Sequence, residues 1–233
     1  MKTALVTGAS EGLGRALTAA LAQQGWTVIV DARGRERLAE AVDGLGPRVH
    51  AVPGDITDPQ HRERLVHDVT ALGRLDLVVN NASTLGQTPL PALVDLDLDA
   101  FDDTWLTNVM APLALTQALV PLLIASRGTV VSISSDAAVE HYPGWGAYGA
   151  TKAALDHLTL TLGEENPGLT AYAVDPGDMR TAMHQQAFPG EDISDRPLPE
   201  SVVPGFLELL RVRPGSGRHR AADFAPGSAQ AIA

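Results

Sequence analysis

The chain has 233 residues, 45 % hydrophobic and 19 % charged, which suits one α/β domain with a sizeable core. Its 17 basic and 28 acidic residues give a formal charge of −11, which disfavours nucleic acid and anionic membrane as partners. The lack of cysteine excludes disulfides, thiolate catalysis and cysteine-ligated metal sites.

The opening MKTALVTGAS runs straight into a strand-like segment, TALVT (3–7), and becomes glycine-rich too soon for a signal peptide. No apolar run approaches the ~18 residues of a membrane span, so a cytoplasmic protein is expected. Residues 13–24 carry Leu13, Leu17, Ala20 and Leu21 at helical spacing. WTVIV (26–30) predicts a second buried strand, and a charged helix follows from Arg35. RVHAV (48–52), LDLVV (75–79), GTVVSIS (128–134) and LTAYAV (169–174) continue the strands, with helical patterns at 59–72, 98–125 and 145–165. Strands apolar on both faces, alternating with helices, predict a single α/β domain built on a parallel sheet covered on both sides. After Pro176 the chain turns polar and rich in Pro and Gly. Residues 177–200 read as a lid, PESVVPGFLELL as a short helix, and the end as one edge strand before a loose tail over 221–233.

TGASEGLG joins the first strand to the first helix. Gly8 permits a sharp turn, Gly12 lets backbone approach a ligand, and Gly14 lets the helix pack closely. The N–H groups at the helix start then offer a phosphate site. The spacing is neither G-x-G-x-x-G nor a P-loop, and a tight turn without a ligand would use the same glycines. Farther on, Tyr148 and Lys152 stand four apart, on one helix face. A phenol with a pKa near ~10 is a poor proton carrier at neutral pH, and a nearby ammonium lowers it. An amphipathic helix with a solvated lysine carries the same spacing.

Thr7-Gly8-x-x-x-Gly12-x-Gly14, Asn80-Asn81-Ala82, Ser135, Tyr148 and Lys152, and Pro176-Gly177 occur in one order over residues 3 to about 181. This set resembles the short-chain dehydrogenase/reductase family. Ser83 departs from it, standing where the family has glycine, and is expected to perturb one turn but not the chemistry. The resemblance implies a Rossmann-type, doubly wound sheet of about seven strands and a nicotinamide cofactor. It places the cofactor against Gly8, Ser10, Glu11, Gly12, Leu13 and Gly14, then Arg33, Asp55, Ile56, Asn81 and Ala82, with Tyr148, Lys152, Pro176, Gly177 and Thr181 at the nicotinamide end. The family's discriminating acid falls at Ala32, and Arg33 would meet a 2′-phosphate, so NADP(H) is expected over NAD(H). Glu11 and Asp31 add opposing charge, and Arg33 could also be a solvated loop cation. Asp55 could equally be a turn or cap before Asp58-Pro59.

The implied catalytic set is Asn108, Ser135, Tyr148 and Lys152. Tyr148 moves the proton, Lys152 assists it and holds the nicotinamide ribose, and Ser135 bonds the substrate oxygen. Ser134 should face the other side of its strand. Pro112 cannot bond the carbonyl of Asn108, which predicts a kink and a free backbone acceptor there. In the family the matching Asn holds a water on the lysine. Trp145, His141 and residues 179–190 are expected to shape the substrate pocket, although His141 could instead be an exposed loop residue. The seven histidines lack metal spacing, so no metal is expected. The expected activity is hydride transfer between NADP(H) and a carbonyl or secondary alcohol, in a homodimer or homotetramer. A nucleotide-binding redox sensor without turnover is the alternative, and a lyase or epimerase a third reading.

Overall fold

The computed structural model describes residues 1–228. Seven parallel strands form one sheet in the order β3-β2-β1-β4-β5-β6-β7. They are β1 (Thr3–Val6), β2 (Thr27–Ala32), β3 (Val49–Pro53), β4 (Leu77–Asn80), β5 (Thr129–Ile133), β6 (Thr170–Asp175) and β7 (Gly217–Arg220). The helices are α1 (Gly12–Gln23), α2 (Arg35–Val42), α3 (Pro59–Ala71), α4 (Leu98–Trp105), α5 (Ala111–Ser126), α6 (Gly146–Glu165), α7 (Ala182–Ala187) and α8 (Pro199–Val212). Strand order reverses between β1 and β4, and a crevice opens at the carboxyl ends of strands at such a point.

Strand alternation builds two cores. Ala4 and Val6 join Val28, Val30, Leu77, Val79 and Tyr172 on one face, under Leu13, Leu17 and Leu21 of α1 and Phe206 and Leu209 of α8. Leu5, Ile29, Val78 and Val130 turn to the other face, under Leu65 and Val69 of α3 and Leu115, Leu119 and Leu123 of α5. The expectation that every strand is apolar on both faces fails at β3. It is an edge strand, and His50 and Ala51 are exposed.

Two segments depart from expectation. The helical pattern at 98–125 is interrupted by a π-helical turn, Leu106–Met110, in which the Ala111 N–H bonds the Leu106 carbonyl. Pro112 has no N–H to offer Asn108, so the ladder widens there, as its position predicts. By length and composition the continuous stretch Leu98–Ser126 could cross a membrane, contrary to the absence of any such run expected above. Its Ala111, Leu115, Leu119 and Leu123 are instead packed into the second core. The helix read in PESVVPGFLELL is α8, which runs two residues further, to Val212, and is closed over the first core by Val203, Phe206 and Leu209. The expected edge strand is β7, paired parallel to β6. The tail is not loose from 221. Ala221–Phe224 form a 3₁₀ turn whose Ala221 and Phe224 are buried, because these side chains complete the core beside α8. Residues 229–233 of that tail lie outside the described residues.

Candidate active site

The glycine turn is shaped by steric need. Gly8 and Gly12 adopt φ of +67° and +57°, which strain any side chain. A Cβ on Gly8 would stand 2.8 Å from Ala82 Cα, and one on Gly14 would stand 2.5 Å from both the Gly8 carbonyl and Asn81 Nδ2. Asn81 explains this crowding, since its amide donates to the carbonyls of Thr7 (2.8 Å) and Gly8 (3.1 Å). Thr7 Oγ1 accepts from the backbone N–H of Asn81 and Ala82, both at 3.0 Å. The end of β4 is thus laced to the turn after β1. Gly14 serves this lacing from behind the crevice wall. Glu11 caps α1 by backbone alone, with no side-chain bond to the first N–H groups, which leaves them directed at the crevice.

At the end of β2, Asp31 is turned inward and buried. It accepts from the Gly8 N–H and faces the ring of His61. Burial pushes its carboxyl up, against the hydrogen bond from His61. Arg33 is exposed on the crevice wall, and Arg37 lies 3.8 Å from Glu11, offsetting the charge that opposed a phosphate. Asp55 accepts from the N–H and hydroxyl of Thr57. Partial burial would raise Asp55, but these bonds outweigh it and hold the carboxyl below its usual range. Asp58 caps α3, while Asp55 holds the turn before it, accepting from Thr57 through its carboxylate and from Asp58 N through its carbonyl, and also lines the crevice with the buried Ile56.

Ser135, Tyr148 and Lys152 converge on the same crevice. Ser135 follows the end of β5 and caps the short 3₁₀ turn Asp136–Ala138, accepting from Ala137 N (3.2 Å) and donating to Asp136 Oδ1 (2.9 Å). Ser134 faces away and donates to Asp156 Oδ2 at 2.7 Å, as strand alternation requires. Lys152 Nζ stands over the Tyr148 ring, 5.4 Å from its centroid, and donates to the Ile133 carbonyl at 2.8 Å. The expected lowering of the phenol is not what this environment produces. Burial pushes Tyr148 well above its ordinary range, and hydrogen bonding with Ser83 and Ser135 opposes it only in part. The lysine sits over the ring and spends a proton on a carbonyl, so its charge is not aimed at the hydroxyl. Burial brings Lys152 itself down to about 8, with the Asp156 carboxylate opposing.

Asn108 is set behind the wall. Its carboxamide accepts from Thr84 N (2.9 Å) and Ser83 Oγ (3.1 Å), and donates to the Thr84 carbonyl (2.8 Å) and Thr151 Oγ1 (3.0 Å). Ser83 therefore does more than bend a turn: its hydroxyl donates to the Asn108 carboxamide and bears on the Tyr148 phenol. The cause is the added Cβ–Oγ, which projects from the loop after β4 into the crevice.

Behind the serine, Arg218 of β7 donates to the Ser135 carbonyl (2.8 Å) and to Asp156 Oδ2 (3.1 Å), and lies 3.5 Å from Asp175 Oδ2. Asp175 in turn accepts from Gly177 N at 2.9 Å, shaping the Pro176-Gly177 loop. Thr181 caps α7 and approaches Gly12 across the crevice, within 3.5 Å of where a Cβ would sit. Trp145 packs edge-on against Tyr148 (5.6 Å) and beside Phe188 (6.0 Å), forming an aromatic wall with Met183. His141 does not contribute. It is exposed and off the crevice, and Tyr142 lines it instead, held there by its bond to Asp136 Oδ2 at 3.0 Å. Arg180 and Arg196 are used within the segment, on the Ser194 carbonyl and on Asp178 and Asp195.

Apart from Gly14 and Asn108, every residue expected to bind or react lines this one crevice of ≈ 1270 Å³. That exceeds the roughly 300–1,000 Å³ of a single small-ligand site and leaves room for a long ligand beside a smaller one. Arg37, His61, Asp156 and Arg218 were missed as contributors, and Thr7 and Ser83 were noted only as part of the motif and a departure from it. Of the missed residues Asp156 alone carried a signal, standing four residues beyond Lys152 on the same helix.

Comparison with known proteins agrees with this geometry. The pattern described as short chain dehydrogenase matches residues 2–192. The YciK oxidoreductase of Escherichia coli K12 is 32 % identical over 215 residues, covering 88 % of this chain and 84 % of that protein. A serine 3-dehydrogenase of Agrobacterium fabrum is 36 % identical over 183 residues, covering 77 % and 72 %. A short chain dehydrogenase from Escherichia coli CFT073, complexed with NADPH, superposes with a TM-score of 0.88 at 32 % identity, covering 94 % of this chain and 96 % of that one. One from Shigella flexneri, complexed with NADP, gives 0.87 at 31 % identity, covering 95 % and 97 %. Sheet order, crevice and sequence together make this chain an enzyme of the short-chain dehydrogenase family.

Proposed function

We propose that the protein is an NADP(H)-dependent oxidoreductase acting on a carbonyl or secondary alcohol. The observation that carries this reading is the convergence of Ser135, Tyr148 and Lys152 on the crevice that begins at the glycine turn. The cradle fits a dinucleotide. Gly8 and Gly12 keep the turn free of side chains, and the first N–H groups of α1 are uncapped toward a pyrophosphate. Asp55 and Ile56 would flank adenine, and Ala82, Pro176, Gly177 and Thr181 the nicotinamide half. Arg33 is the cation for a 2′-phosphate, since Asp31 faces inward, and relatives bearing NADP and NADPH support the choice over NAD(H).

A bound nicotinamide would supply or accept the hydride. Tyr148 Oη gives its proton to the developing alkoxide in reduction and accepts one in oxidation. Ser135 Oγ turns from Asp136 to hydrogen-bond the same substrate oxygen. Lys152, held over the Tyr148 ring on the Ile133 carbonyl, would hold the nicotinamide ribose, and it keeps its ammonium below a pH of about 8. With no N–H on Pro112 beyond the widened turn at 106–110, the Asn108 carbonyl could accept from a water that relays the proton to solvent. The aromatic wall of Trp145 and Phe188, with residues 177–200 above it, would exclude water from the substrate half. Exposed Leu98, Leu106 and Met110 and the small residues Ala150 and Ala153 of α6 offer faces for a homodimer or homotetramer.

The test is a panel of carbonyls and alcohols with both nicotinamides, followed by nicotinamide absorbance. Turnover with NADP(H) is the expected result. Binding without turnover over the whole panel would favour a sensor.

A further inference from the structure

Asp31 is an unusual residue to bury at this place. It stands two residues before Arg33, near the end of β2, and with Ala32 and Arg33 it borders the nucleotide crevice. A carboxylate free in that position would repel a 2′-phosphate and accept from a 2′-hydroxyl. Here the side chain is 1 % exposed and both oxygens are taken. Oδ1 accepts from Gly8 N at 3.2 Å, and Oδ2 lies 3.1 Å from His61 Nε2. His61 comes from the first turn of α3 and is itself 0 % exposed. Its ring is admitted only because position 54 is glycine, where a Cβ would overlap Nδ1. Arg64 fixes the hydrogen pattern. Its Nη2 lies 3.3 Å from Nδ1 and can only donate, which leaves Nε2 to donate to Asp31.

We infer that His61 is a specificity-determining residue for the nucleotide: by holding Asp31 inward against the Gly8 N–H, it leaves Arg33 as the charge that meets the 2′ position and favours the 2′-phosphorylated cofactor. This rests on the dinucleotide reading above. His61 itself is a positioning residue, since it acts through Asp31. A purely structural role would affect both nucleotides alike, because both share the pyrophosphate that the Gly8 turn cradles.

The experiment is a titration of NADP+ and NAD+ binding, by fluorescence or calorimetry, on four proteins. His61→Leu should lose about fivefold in NADP+ affinity relative to NAD+, as expected for one like charge released to within several ångströms of the phosphate. His61→Gln retains an N–H donor and should keep the wild-type ratio. Adding Asp31→Asn to His61→Leu should restore the ratio, because no charge is left to release. Equal weakening of both nucleotides, no change in His61→Leu, or a ratio still shifted in the double variant would overturn the proposal. Should His61→Leu not fold, Asp31→Asn alone decides. It should leave the ratio unchanged, and a gain in NADP+ preference would mean that the carboxylate already reaches the 2′ position. A wild type that binds both nucleotides equally removes the preference proposed above, yet His61→Leu must still move the ratio toward NAD+. A wild type that binds neither overturns both.

Discussion

The two ends of the crevice are made differently. At the glycine turn the surface is backbone, held from behind by Thr7 and Asn81, and side chains are excluded by contact distances at Gly8 and Gly14. At the other end the surface is side chain: Ser135, Tyr148, Trp145, Phe188 and Met183. One end works by shape that every nucleotide of this kind shares. The other works by hydroxyls, charge and rings on loops. Damage at the first should therefore appear as lost stability and lost binding together, and damage at the second as lost turnover with binding retained.

Tyr148→Phe gives the largest separation of the two. It removes one hydroxyl from the reacting end and leaves the glycine turn untouched. Turnover should fall about 10²–10⁴-fold while nucleotide affinity stays the same, read by steady-state rates beside a binding titration. A variant with normal turnover would remove Tyr148 from the chemistry.

Gly14→Ala tests the other end. The new methyl meets the Gly8 carbonyl and Asn81 Nδ2 at 2.5 Å, contacts that neither partner can easily yield. Stability should drop by about 1–3 kcal/mol in urea unfolding, and nucleotide binding should weaken with it. Lost turnover with normal stability would blur the contrast between the ends.

The contrast also explains how much could be read from residue order. The parallel sheet, most element positions and the edge strand followed from apolar runs and glycines, because these are local; the named crevice residues followed from the resemblance that motif order carries, while the wall over residues 84–88 and 97–107 was not foreseen. The widened helix at 106–110 followed from one proline. What escaped depends on side chains meeting across the fold. Nothing in PQHRER marks His61 as lying under Asp31, nor GRHR as carrying Arg218 to the Ser135 carbonyl. The phenol was misjudged for a similar reason. Four-residue spacing puts Lys152 on the right face, but burial and the Ile133 carbonyl decide where its charge points.

Arg218→Gln probes support from behind the reacting end. The substitution leaves Asp156 and Asp175 facing each other without a guanidinium. Stability should fall by about 2 kcal/mol near neutral pH, since Arg218 is partly exposed and the full cost of a buried pair does not apply. Burial already raises the Asp156 carboxyl, and Arg218 opposes that rise. A carboxyl raised in the folded state takes up its proton more readily there than when unfolded. Its cost is therefore absent at low pH and grows as pH rises toward the folded-state value. The variant's deficit should thus be small near about pH 4 and larger above it, in urea unfolding across pH. A deficit independent of pH would mean that Arg218 acts by packing.

Ser83→Ala should have the smallest effect, and it tests whether the reacting end is finished by a residue outside the family pattern. The hydroxyl donates to Asn108 Oδ1 at 3.1 Å and, by turning to the phenol when it ionises, would oppose the rise that burial imposes. Alanine keeps the backbone and removes only that hydroxyl. The phenol should then be harder to ionise, so the rising limb of alcohol oxidation should move to higher pH. Carbonyl reduction, which uses the protonated phenol, should change little at neutral pH. Oxidation near neutrality should slow by about threefold to tenfold, the lower range of one acid–base contact. Nucleotide affinity should not change, because Ser83 lies beyond Ala82 from the glycine turn. An unshifted oxidation limb would return Ser83 to the role of a loop residue and leave burial and Ser135 to set the phenol alone.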